Sequence, residues 1–132
     1  MLRASPEDPL EIRLATLATG LRSVIAQFRP SATAVEDLFV KADPKAALAV
    51  GHGRGALLAV LGEARIPVTP YPPATVKLAV AGSGRAGKEQ VARMVGVILG
   101  TPPSAAPRDA TDALALAITL ALRWNVQNIM NE

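Results

Sequence analysis

The sequence contains no cysteine, which excludes disulfides and thiolate metal sites and suits a cytoplasmic setting. It contains one histidine, His52, so hard oxygen donors are the metal ligands it can offer. No apolar run approaches the ~20 residues needed to cross a bilayer, so no membrane association is expected. The opening stretch MLRASPEDPLEIR mixes charge and proline and has no apolar centre, so it does not read as a signal peptide. Internal repeats are absent too. What is present is a chain of 132 residues, half of them apolar, enough to bury a core as one domain over residues 1–132.

The net charge is +3, and it is unevenly placed. Residues 63–100 carry five basic groups (Arg65, Lys77, Arg85, Lys88, Arg93) against two acidic ones (Glu63, Glu89), and the rest of the chain is balanced. An anionic partner fits that segment; so does a solvated basic surface.

Asp8-Pro9 reads as N-cap and first helical residue. Leu10, Leu14, Leu17, Leu21, Val24 and Phe28 then recur at three- and four-residue steps, one face of a helix. Arg29-Pro30 ends it, because the residue before proline avoids helical backbone. A short buried strand is expected within ATAVEDLFV (32–40), interrupted by Glu36. Asp43-Pro44 repeats the cap signal and opens a helix over 44–64. There Ala47, Gly51, Gly55 and Ala59 make a stripe of small residues, and close packing on a neighbour is expected to offset about 0.5–1 kcal/mol per glycine. RIPVTPY (65–71) reads as a second short strand, and PATVKLAV (73–80) fits helix or strand. Gly87 to Leu99 reads as a helix with Val91, Met94, Val95 and Ile98 on one face. GTPPSAAPR (100–108) reads as a loop and DATDALALAITLALRW (109–124) as the last helix. The order helix–strand–helix–strand–helix–helix implies an α/β fold with a right-handed parallel crossover. Both strands read as buried on two faces, and two strands are too few to stand alone, so more sheet is expected, from elsewhere or from a partner.

The stretch VKLAVAGSGRAGKE (76–89) resembles a strand entering a phosphate-binding loop. The pattern G-x-x-x-x-G-K is met at Gly82, Gly87 and Lys88, but the next position, which needs a hydroxyl for Mg²⁺, is Glu89. A carboxylate there repels nucleotide phosphates, and no later strand offers a metal-binding Asp. A glycine-rich turn capping a helix is the simpler reading, and a nucleotide binder stands third among the functional readings.

Three carboxylates sit in apolar company. Glu36 interrupts a run that should be dry, and a buried carboxylate is normally paired or metal-bound; a strand-end Glu facing solvent is the alternative. Asp109 and Asp112, three apart, share a helix face that continues into Ala113, Leu116 and Leu120. Capping alone accounts for one such Asp, less readily for two. Together the three acids suit an all-oxygen Mg²⁺ site of the kind that hydrolyses phosphodiesters with two ions about 3.5–4 Å apart.

The blocks AVEDLF (34–39), ALAVGHGRGA (47–56), TVKLAVAGSGRAGKEQVARMV (75–95) and DATDALALAIT (109–119) resemble, in order and spacing, the RuvC-type Holliday junction resolvases. The likeness runs from about Leu10 to Leu122. It implies a ribonuclease H-like fold and a Mg²⁺-dependent endonuclease, with Mn²⁺ as a substitute, that makes paired symmetric cuts in four-way DNA junctions. By the same resemblance Glu36, Asp109 and Asp112 are the catalytic, metal-binding acids. Phe39 matches the aromatic that contacts unstacked bases at the junction centre; otherwise it is a core phenylalanine. Lys77 and Lys88 contact the DNA backbone, with Arg54 and Arg85 as weaker candidates. His52 reads as an ordinary helix residue and Trp124 as a packing one. The small-residue helix resembles the family's dimer contact, so a homodimer is implied, along with a junction branch-migration complex as partner.

The family's first strand carries a G-x-D-P-G motif whose Asp is a fourth catalytic acid, and that motif is not in this sequence. Asp8-Pro9 is only an echo of it. The expectation is a domain incomplete at its N-terminus, with an internal Met1 as the favoured cause, and little or no cleavage by this chain as written. The alternative reading is a non-catalytic junction-binding module that keeps Phe39, Lys77 and Lys88.

Overall fold

The structure, a computed structural model, describes residues 2–37, 43–101 and 106–131. Along the described chain run α1 (Leu10–Phe28), β1 (Thr33–Glu36), α2 (Pro44–Glu63), β2 (Val68–Tyr71), α3 (Pro73–Ala81), α4 (Lys88–Leu99) and α5 (Arg108–Asn131). The chain divides into two compact units, residues 1–32 with 39–68 and residues 33–38 with 69–132.

The first unit is a pair of packed helices, α1 and α2. Pro9 rather than Asp8 takes the N-cap position of α1, and its carbonyl accepts from the amides of Ile12 and Arg13. The cap signal was therefore read one residue early. Arg29 closes α1 in left-handed backbone at φ 46°, with its N–H donating to the Ile25 carbonyl, and Pro30 prevents continuation. Asp43 caps α2 as expected, its side chain accepting from the Lys45 amide at 3.0 Å with Pro44 in the first turn. Val60 and Leu61 are the buried apolar residues of α2. Arg22 of α1 and Glu63 of α2 pair at 3.2 Å, but both side chains are more than half exposed, so the pair contributes at most ~1 kcal/mol. The expected close neighbour of the small-residue stripe is not found among the described residues: a Cβ added at Gly51 or Gly55 meets none of them within 4 Å.

The second unit joins a two-stranded parallel sheet to three helices. The strands are half-buried, less than expected; only Tyr71, at the end of β2, is fully inside. Asp37 continues the strand register by donating its amide to the Tyr71 carbonyl at 2.9 Å. The core gathers Tyr71, Val76 and Val80, the loop residue Ala86, Val91 and Val95 from α4, and Ala115 and Ile118 from α5. Thr119 is completely buried, with its hydroxyl satisfied by the Ala115 carbonyl at 2.8 Å. On α4 the buried face is Val91 and Val95, while Ile98 is exposed. Residues 73–81 are helix, which adds one helix to the expected order. Pro73 occupies its first turn, and Gly82, at φ 77°, ends it with an N–H bond to the Leu78 carbonyl. The last helix is longer than expected, reaching Asn131.

Candidate active site

Within the second unit a cavity of about 260 Å³ is lined by four charged side chains, each from a different element. Glu36 ends β1, Lys77 lies on α3, Lys88 opens α4, and Asp112 sits in the first turns of α5. Val76, Val91 and Ala115, all buried, line the cavity from the core side. The location follows from the topology: Glu36 is the carboxyl-terminal residue of its strand, and open α/β sheets place ligands beyond the carboxyl ends of strands. The helices supply the rest because their capping residues fix where they start. Pro73 sets the phase of α3, so Val76 and Val80 face inward; Gly87 is the N-cap of α4 and puts Lys88 at its first position.

The charges are arranged as two acids and two cations. Among the described residues neither Lys77 nor Lys88 forms an ion pair, so both are available to an incoming anion. Carboxylate oxygens suit a hard divalent cation in kind. In number the cavity brings two of them together, and among the described residues no three His, Cys, Asp or Glu side chains approach closely enough to hold a metal ion. Asp109 shares the Asp112 face of α5 at three residues' distance but is exposed and is not part of the cavity wall.

The other expected site residues lie elsewhere. Phe39 falls outside the described residues. Arg85 is exposed in the turn between α3 and α4, and Arg54 belongs to α2 of the first unit. His52 is a half-buried α2 residue and Trp124 a 41% exposed one on α5.

The phosphate-loop reading fails on context. Val76 to Ala81 is helix, not a strand, so the glycine-rich stretch joins two helices. Part of its backbone is already engaged: the Ala86 and Arg85 amides donate to the Ser83 carbonyl and hydroxyl. Ala86 is itself a core residue.

A second cavity, of about 420 Å³, adjoins the first and contains Lys88, Glu89, Arg108, Thr111 and Asp112. Arg108 ends the stretch 100–108 that reads as a loop and was not among the expected site residues. The signal available was its spacing, four residues before Asp112.

The family model for crossover junction endodeoxyribonuclease RuvC matches residues 2–120. The RuvC of Desulforamulus reducens is 44% identical over 94% of this chain and 76% of its own. That of Moorella thermoacetica is 48% identical over 85% of this chain and 66% of its own. For the Trichlorobacter lovleyi protein the share of the relative's length falls to 59%. Among solved structures, Thermus thermophilus RuvC superposes with a TM-score of 0.86 at 40% identity, covering 94% of this chain and 75% of that one. The same protein in complex with a Holliday junction substrate gives 0.90 at 39% identity, covering 96% and 76%.

Proposed function

The chain belongs to the RuvC family of crossover junction endodeoxyribonucleases, and on that premise we propose that it acts on four-way DNA junctions in recombination and repair as a structure-selective endonuclease. Its fold is the family's α/β, ribonuclease H-like one. The observation that carries the functional reading is the meeting of Glu36, Lys77, Lys88 and Asp112 on one cavity from four separate elements.

RuvC nucleases depend on metal. In this chain Glu36 and Asp112 would hold it; Asp109 is included as the third acid through its place in the matched block rather than through the cavity, and Mg²⁺, replaceable by Mn²⁺, is the ion proposed, two per complete site. When bound, the metal supplies activation of water and charge stabilisation at the leaving oxygen. Lys77 and Lys88 hold the backbone phosphate as point charges and position the strand without reading its sequence. The apolar Val76, Val91 and Ala115 behind them limit water and so strengthen these contacts. Phe39 on unstacked bases at the junction centre, and Arg54 and Arg85 on the backbone, belong to the same proposal through their places in the matched blocks.

A homodimer fits paired symmetric cuts. Its support here is the open small-residue stripe of α2, beside which Leu48 is 61% exposed. The family match spans both compact units, which favours one nuclease domain rather than two. A branch-migration complex as partner and a cytoplasmic location are part of the proposal. Among the described residues no helix is long and apolar enough to cross a membrane.

The test is to measure Mn²⁺ binding and junction binding side by side. Glu36→Gln and Asp112→Asn should each lower Mn²⁺ affinity by more than the roughly 10–100-fold that loss of an outer-shell partner costs. Junction binding in Ca²⁺ should survive, and any nicking seen in Mg²⁺ should disappear. Full Mn²⁺ affinity in both variants refutes the site.

A further inference from the structure

We infer that Arg108 holds a second backbone phosphate, one nucleotide step from the phosphate presented to Glu36 and Asp112, in the cavity that adjoins the candidate active site. The inference rests on the junction-binding function proposed above and adds a DNA-contacting residue to it.

The two cavities share Lys88 and Asp112 as a common wall. The larger one is also lined by Arg108, the first residue of α5. Arg108 and Asp112 are four residues apart and therefore on one face of the helix, about 6 Å apart along its axis. That distance is on the order of one nucleotide step of a DNA strand. A strand laid across Lys88 thus meets Arg108 as it leaves Asp112.

Arg108 is also uncommitted. Its spacing from Asp112 suits an ion pair along the helix, yet Arg108 forms none with any described residue. A guanidinium that leaves a nearby carboxylate unused and lines a cavity is a free fork of donors, the geometry that suits phosphate. The second cavity also contains Glu89, which opposes an anion. Two cations, Lys88 and Arg108, face two carboxylates, Glu89 and Asp112. Once Asp112 serves a cation in the active site, the balance in this cavity is positive. Glu89 then limits the affinity without abolishing it.

The experiment is equilibrium binding of the whole chain to a synthetic four-way junction in Ca²⁺, between 50 and 200 mM salt. One phosphate contact accounts for about a 3.5-fold share of the affinity lost over that range, from a slope of about −0.9 per contact. The drop for Arg108→Ala should therefore be about 3.5-fold smaller than for the unsubstituted chain. Arg108→Lys should keep the original slope, and Glu89→Gln should tighten binding. Neutral methylphosphonates, placed one at a time around the crossover, give the second readout. At one position the unsubstituted chain should lose affinity while Arg108→Ala loses none; should the alanine variant unfold, Arg108→Gln takes its place. An unchanged salt slope, or methylphosphonates that weaken both proteins equally at every position, overturns the assignment of Arg108 alone. Failure of the unsubstituted chain to bind junctions overturns the functional reading and Arg108 with it.

Discussion

Valine at position 115 tests whether the site stands on the packing described. Ala115 is 1% exposed, lies between α5 and the helices α3 and α4, and lines the cavity that holds Glu36 and Asp112. Ala113, two residues earlier on the same helix, is exposed. Replacing either by valine costs up to about 0.7 kcal/mol of helix propensity. Only at 115 do the added methyl groups enter a filled core, for a further ~1–3 kcal/mol. The expected loss is thus about 1.5–3.5 kcal/mol for Ala115→Val and about 0.5 kcal/mol for Ala113→Val. Urea unfolding followed by Trp124 fluorescence measures both. Trp124 is the chain's one tryptophan and lies in the second unit, so its signal reports that unit. The m-values should be unchanged, since neither variant alters the surface exposed on unfolding. The valine at 115 should also weaken Mn²⁺ binding, because it crowds the cavity three residues from Asp112. Equal stabilities for the two variants, within ~0.5 kcal/mol, would refute the placement of Ala115 in the core.

The α2 glycines give a prediction with opposite signs in two assays. Gly51→Ala and Gly55→Ala meet no obstacle among the described residues, so each should raise helix stability by about 0.5–1 kcal/mol, while weakening self-association measured by sedimentation if this face is the proposed dimer contact. Gly82→Ala should destabilise by about 1–2 kcal/mol in the same urea assay, because Gly82 holds a left-handed conformation at φ 77° that closes α3; an unaffected midpoint would contradict that turn.

The start of α2 and the end of α1 were the most legible boundaries, because their proline signals are local. Pro44 behind Asp43 marked the start of α2, and Pro30 the end of α1. Residues 73–81 were not legible, for a specific reason. Val76, Leu78 and Val80 alternate as a strand would, yet Val76 and Val80 also stand one helical turn apart. The structure decides through Leu78: a strand would put it on the same face as the two valines, but it is 53% exposed while they are buried. Pro73 and Gly82 at the two ends carry the tie-breaking information. For the site, residue chemistry was legible and convergence was not. Glu36, Lys77, Lys88 and Asp112 were all singled out, but no periodicity connects a strand end near the start of the chain with a helix near its end. Arg108 escaped because it stands on the border between loop and helix, where boundaries are least certain.

The arrangement of charge in the cavity has its own logic. Two carboxylates and two lysines line one small space, yet neither lysine pairs with a described residue. Exposed pairs of this kind gain at most about 1 kcal/mol, so little free energy draws them together in the absence of substrate. A bound phosphate changes this balance. On the function proposed it would lie between acids that serve a cation on one side and the lysines on the other, giving both lysines a partner of opposite sign. The interactions become strongest when the DNA covers the cavity and excludes water from the space over Val76, Val91 and Ala115. On the function proposed, keeping the lysines unpaired in the free chain leaves that gain to substrate binding, where it would position the scissile bond. By the same reasoning Lys77→Glu would do more harm than Lys77→Ala. It would add a third carboxylate to a cavity whose two existing ones are proposed to hold metal, and it would repel the phosphate of the proposed substrate.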